Sequence, residues 1–160
     1  MTLVIRSFTG ANAFLSNFHP WPVGLGSITY PTAEHAFQAC KTLDPAEKRQ
    51  IAQCSTPGKA KRRGQFINLR PGWNEYVRFA AMLRVLRAKF ALPSRAQQLV
   101  DTRAALLVEG NIWHDQEWGD CACGRRDCRE AGQNHLGRLL MIVRSELVIV
   151  HTDSTLTVGV

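Results

Sequence analysis

No apolar run in this chain approaches the roughly 20 residues needed to cross a bilayer as a helix, so a helical membrane protein is excluded. The opening MTLVIRSFTG has no basic stretch leading into an apolar core. No secretory leader is therefore read, and the cytoplasm is the expected compartment. Acidic side chains are in deficit: 13 Asp and Glu face 20 Lys and Arg, leaving a net charge of +7. Five cysteines, an odd number without an export signal, argue against a disulfide framework. Internal repeats, low-complexity tracts and linkers are missing too, so one domain over 1–150 with a short C-terminal tail, 151–160, is expected. Oligomeric state is not legible.

What the chain does have is a globular composition. Its 160 residues, 45% of them hydrophobic, suffice for a core without metal or disulfide support. The positive charge is clustered: GKAKRRGQFINLR brings Lys59, Lys61, Arg62, Arg63 and Arg70 close together. Such a field attracts phosphate on a nucleic acid, a nucleotide or a phosphosugar, and the competing explanation is simple solubility.

Apolar periodicity gives a helix-dominated α+β class. TLVIRSF alternates weakly as a strand, and FLSNFHPWPVGLGSITYP reads as turn, strand and turn. Thr32 is placed to cap a helix running to about Leu43, and Asp44-Pro45 to start another ending near Gln53. A short basic helix follows over 56–65. Trp73 to Phe90 forms the longest helical pattern, stopped before Pro93, and Ser94 to Asp101 forms one more. ALLVEG (105–110) reads as a strand, a long polar loop follows, and HLGRLLMIVRSEL closes the chain as an amphipathic helix.

Two segments carry groups suited to chemistry. In PTAEHAFQACK, steps of four and three residues put Glu34, Gln38 and Lys41 on one stripe. That stripe is either the wet side of an ordinary helix or one wall of a pocket. His35 lies about 100° away round the helix and is read as a structural hydrogen-bonder. In EGNIWHDQEWG, Trp113 and Trp118 flank Asp115 in a polar loop. Indoles there either fasten the loop to the core or present a flat face to a base or sugar. Partial desolvation between them would tune the Asp115 carboxylate.

Taken in order, FLSNF, YPTAEHAFQACK, EGNIWHDQEWG and GQNHLGRLLMIVR resemble the NADAR, or YbiA-like, family from about Phe14 to Arg144. The resemblance implies a single α+β domain without a cofactor. It also implies an N-glycosidase acting on ribosyl phosphates or ADP-ribosyl groups, including riboflavin-pathway intermediates and ADP-ribose on guanine. Carried over residue by residue, it makes Lys41, Glu34 and Asp115 catalytic, and Asn17, Trp113, Trp118, Gly132 and Asn134 substrate-binding; Gln38, on the stripe with Glu34 and Lys41, is read as a further substrate contact. The expected partner is a nucleotide or phosphoribosyl molecule, or ADP-ribosylated nucleic acid, and no membrane. Cleaving a C1′–N bond requires an acid for the leaving nitrogen and a group to meet the cationic sugar. A lysine of lowered pKa can attack C1′ and pass through a Schiff base. The rival reading is a module that binds ADP-ribose or nucleic acid without cleaving it.

The chain departs from the family at DCACGRRDCREA, where many members have a short glycine-rich connection. Cys121, Cys123 and Cys128, with His114 or His135 nearby, have the ligand types of zinc but not the standard paired C-x2-C spacing. They are read as reduced thiols in a surface loop, and no metal is assigned. Asn134 is placed to cap the last helix, whose N-terminus could receive a phosphate.

Overall fold

A computed structural model describes residues 3–156 of the chain. In order these form β1 (Val4–Ile5), β2 (Val23–Leu25), β3 (Ile28–Tyr30), α1 (Ala33–Ala39), α2 (Pro45–Ala52), α3 (Pro57–Arg63) and α4 (Arg78–Lys89). They continue with α5 (Pro93–Val100), β4 (Leu106–Leu107), β5 (Gly110–Asn111), β6 (Asp120–Cys121) and α6 (His135–Leu156). Helices with a few two- and three-residue strands make an α+β fold. The chain divides into two compact units. One is Ser16–Lys89; the other joins the residues up to Leu15 with those from Phe90 onward.

In the Ser16–Lys89 unit, β2 and β3 form an antiparallel hairpin in the register Val23↔Tyr30. Its two-residue turn places Gly26 at φ 62°, a conformation that suits glycine. Thr32 caps α1, its hydroxyl accepting from the His35 amide at 3.3 Å. All seven residues of α1 are buried, because α2, α3 and α4 pack around it and its alanines let them approach. The helix is shorter than the sequence pattern suggests. It ends at Ala39, and Lys41 follows in a tightened turn whose amide bonds the Gln38 carbonyl at 3.2 Å.

The long pattern from Trp73 also begins differently from expectation. Residues Trp73–Val77 form a π-helical turn, with the Val77 amide reaching back to Gly72 O at 3.2 Å, before α4 starts. Trp73 is buried and its ring packs on Phe37, centroids 5.4 Å apart.

In the other unit, β1 pairs parallel with β4 (Val4↔Leu106), and β5 pairs parallel with β6 (Gly110↔Asp120). The expected 105–110 strand is therefore split between β4 and β5. Helix α6 buries Leu136, Leu140 and Val143 and packs on α5 and β4. It approaches β4 so closely that a Cβ at Gly137 would overlap the Leu107 carbonyl oxygen. The helix continues to Leu156, past the expected start of a tail at 151; residues 157–160 of that tail lie outside the described residues.

The α6 N-terminus departs from expectation in a way that bears on ligands. Consecutive amides of Gln133, Asn134, His135 and Leu136 donate to the carbonyls of Gln116, Gly119, Glu117 and Trp118 at 2.7–3.2 Å. The amides of Asn134 and of the first two helical residues, which could otherwise meet a phosphate, are thus already bonded to the preceding loop. Asn134, at φ 50°, ties this junction to the strand region. Its Nδ2 donates to Leu107 O at 2.8 Å and its Oδ1 accepts from Glu109 N at 3.0 Å. Further along α6, Arg144 donates to Thr102 Oγ1 and Ala105 O at 2.8 and 2.9 Å, so it is a structural tie.

Losing the Asn134 side chain takes its bond from the buried Leu107 carbonyl, at roughly 1–3 kcal/mol. Asn134→Gly is expected to destabilise by about that amount. Asn134→Ala, which must also hold a Cβ at positive φ, is expected to cost about 1 kcal/mol more. Urea unfolding midpoints of the two variants measure the order directly.

Candidate active site

Burial of the whole of α1 decides between the two readings of the PTAEHAFQACK stripe: Glu34 and Gln38 do not face water. Gln38 Nε2 donates to Glu34 Oε1 at 2.8 Å. That bond follows from the i, i+4 spacing and fixes the carboxylate on the helix. The Glu34 amide is held by the Asn17 carbonyl at 2.9 Å, so the segment before the hairpin sets where α1 begins. Asn17 is itself buried. Its Nδ2 meets Met82 Sδ at 3.4 Å, while its Oδ1, like Gln38 Oε1, is a buried acceptor without a hydrogen bond among the described residues.

Lys41, just past the end of α1, is half-buried, and its Nζ donates to the Gly64 carbonyl at 3.2 Å. Burial pulls its pKa below the ordinary lysine range; Glu34 opposes that shift and Lys61 adds to it. Gly64 follows the basic helix α3, and a Cβ there would overlap Gln38 Oε1, so the missing side chain leaves Gln38 in place where α3 closes on the stripe. Lys61, Arg62 and Arg63 on α3 are exposed. The Lys41 carbonyl accepts from Arg70 N at 2.7 Å, fastening the chain after α3 to the same turn. Glu34, Gln38 and Lys41 thus form one buried-to-half-buried polar set.

His35 takes no part in it. Its Nε2 faces Cys54 O at 3.0 Å and must carry the proton, since a carbonyl only accepts. Its Nδ1 then accepts from Thr32 Oγ1 at 2.8 Å. Burial lowers its pKa, which keeps the ring neutral in this structural role.

In the other unit, the tryptophan loop is organised by its own polar groups. Asp115 Oδ1 accepts from the amides of Glu117 and Trp118 at 3.2 and 2.8 Å, an Asx-type turn that orients Trp118. Asn111, buried, donates from Nδ2 to Asp115 O at 2.8 Å and accepts at Oδ1 from the amides of Trp113 and Asp115. The two indoles differ. Trp118 is half-buried, edge-to-face with His135 at 6.2 Å, whereas Trp113 is 62% exposed. Fastening the loop to the core therefore does not explain Trp113. Gly132 donates to Asp120 Oδ1 at 2.8 Å and lies against Gly119 and Gln116, where a Cβ could not fit.

Some residues escape a reading of the sequence. Lys89, in the basic last turn of α4, is fully buried and donates to Ser16 O at 2.7 Å. Its spacing of four and three from Val85 and Leu86 was the available signal. Gly64 and Asn111 gave none, since a close approach and a loop staple are visible only in three dimensions. The cysteine loop also departs from expectation, because Cys121 and Cys128 are buried rather than superficial.

Comparison with known proteins agrees with this architecture. The NADAR domain model matches residues 6–148. The chain is 39% identical over 137 residues to the N-glycosidase YbiA of Escherichia coli, covering 84% of this chain and 81% of that protein. It is 34% identical over 151 residues to the chloroplastic riboflavin biosynthesis protein PYRR of Zea mays, covering 83% of this chain and 23% of that protein. The NMR structure of E. coli YbiA superposes with a TM-score of 0.78 at 35% identity, covering 95% of this chain and 89% of that one. The chain belongs to the NADAR domain family.

Proposed function

We propose that this N-glycosidase hydrolyses the C1′–N bond of an N-ribosyl substrate that carries phosphate, with Lys41 as nucleophile. Catalysis of N-glycosyl hydrolysis is the activity named for its YbiA relative. The observation that carries the mechanistic part is the half-buried Lys41 amine, lowered in pKa and coupled to the buried Glu34 carboxylate. A module that only bound ADP-ribose or nucleic acid would need cations and aromatic faces, not a carboxylate held out of water beside an amine of lowered pKa.

The reaction runs in balanced steps. A proton passes from the Lys41 ammonium to the Glu34 carboxylate; the neutral amine then gives its lone pair to C1′, the C1′–N pair departs with the leaving nitrogen, and Glu34 hands that proton to the nitrogen. The Glu34 carboxylate then accepts a proton from the new secondary ammonium. Glu34 passes that proton to O4′ as the ribose ring opens to a protonated Schiff base at C1′, takes one from the water that adds there, and gives it to the departing amine as the aldehyde form of the sugar is released. Within the Ser16–Lys89 unit, Asn17 and Gln38 contact the substrate. The buried acceptors of Asn17 and Gln38 suit hydroxyl donors, and the exposed Trp113 ring suits a base.

The cations of α3 next to Lys41 favour a phosphorylated sugar. A relative named for riboflavin biosynthesis favours a ribosyl phosphate of that pathway, and the alternative substrate we propose for the same chemistry is ADP-ribose linked to guanine. Incubation with each should release ribose phosphate or ADP-ribose. Lys41→Ala is expected to abolish sugar release, and Glu34→Gln to lower kcat roughly 10²–10⁴-fold. Full turnover by Lys41→Ala would remove the lysine from the mechanism.

The amine must be neutral to attack, so its titration sets an ascending limb in the pH–rate profile. Lys61 lowers the Lys41 pKa through its like charge. Removing that charge in Lys61→Gln should raise the pKa and move the limb to higher pH, whereas Lys59→Gln should leave it in place. Profiles of kcat/KM against pH for the three proteins read the shift.

A further inference from the structure

We propose that His114, Cys121, Cys123 and Cys128 form a structural zinc site that fastens the tryptophan loop. The four side chains each offer one ligand atom, and these atoms all lie within 4.8 Å of one another. Tetrahedral zinc with bonds of about 2.3 Å to sulfur and about 2.0–2.1 Å to nitrogen has edges of roughly 3.8 Å between sulfurs and roughly 3.6 Å between sulfur and nitrogen. His114 Nδ1 lies 3.2 Å from Cys123 Sγ and 3.4 Å from Cys128 Sγ, close to that edge. Three thiolates and one imidazole are a ligand set of structural zinc, and four protein ligands leave no position for a substrate.

The chain around the cluster is shaped to bring these atoms together. His114 sits at φ 67°, an unfavourable backbone for a residue with a side chain, and that turn carries its ring to the sulfurs. Cys121 lies in β6, whose register with β5 is fixed by Asn111↔Cys121. Cys128 ends a single 3-10 turn, Arg126–Cys128. One glutamine joins the segments: Gln116 Oε1 accepts from Cys121 N at 2.7 Å, and its Nε2 donates to Glu130 O at 2.9 Å. All three cysteines are unbridged. Sulfur and imidazole make only weak hydrogen bonds to one another, so two buried thiols beside a third gain little from mutual contact. A divalent ion would use every donor.

The consequence is mechanical. Between β5 and α6 the chain has a two-residue strand and one 3-10 turn as its regular structure, yet it carries Trp113, Asp115 and Trp118. Metal binding would supply the free energy that so small a segment cannot draw from a core. Three of the four ligands lie in the DCACGRRDC segment, so the site concerns this loop's order rather than the reacting bond.

Metal content tests the proposal without any activity assay. Untagged protein purified in reducing buffer should contain about one zinc per chain, and cobalt(II) added after chelation should give thiolate charge-transfer and tetrahedral d–d bands that saturate at one equivalent. Cys123→Ser, at a half-exposed position, should lose stoichiometric zinc and those bands, while Cys40→Ser keeps both. Chelation should also speed tryptic cleavage after Arg125 and Arg126, with zinc restoring resistance. Wild-type protein without zinc that gives no cobalt spectrum when reduced would overturn the site. So would a Cys121–Cys128 disulfide in freshly isolated, zinc-free protein.

Discussion

A carboxylate removed from water must be answered by hydrogen bonds or by opposite charge, or it protonates. Glu34 lies on a helix with no wet face, so the Ser16–Lys89 unit has to be arranged around that requirement. Gln38 answers one oxygen directly, and Lys41 answers the charge through space. The alanines of α1 bring three helices close enough to exclude solvent, and Gly64 is the position where α3 closes on Gln38. The same closure half-buries Lys41 and depresses its pKa, so the architecture that hides the acid also weakens the amine's hold on its proton.

The second unit rests on a different constraint, the satisfaction of a helix N-terminus. Four amides at the start of α6 are spent on four carbonyls of the loop that carries Trp118. Position and orientation of that loop are therefore set by a helix whose own place is fixed by Asn134 and by the close approach of Gly137 to β4. Asp115 and Asn111 add local turns. A loop with little apolar content is made definite by backbone bonds rather than by a core.

Much of this was legible in the residues. Thr32 and Asp44 cap where their hydroxyl and carboxylate suggest, and the apolar spacing of Leu136, Leu140 and Val143 marks the buried face of α6. Boundaries were less so. The pattern through Leu43 cannot reveal that α1 tightens at Cys40, and a period near 3.6 does not distinguish a π turn at Trp73 from the α-helix after it. Burial of polar residues was the larger gap. Glu34 on a single helix looks like a solvated charge until α2, α3 and α4 are known to surround it. The spacing of the three cysteines was undecided for a similar reason: their fourth partner, His114, is supplied by a backbone turn that no motif encodes.

The central claim is that a partly dehydrated amine at position 41 forms a covalent bond to the anomeric carbon. Borohydride added during turnover with an N-ribosyl phosphate should reduce the Schiff base, and peptide mass spectrometry should then find the sugar phosphate on Lys41. Turnover at the normal rate with no adduct on that residue, or with the adduct on another lysine, would contradict it.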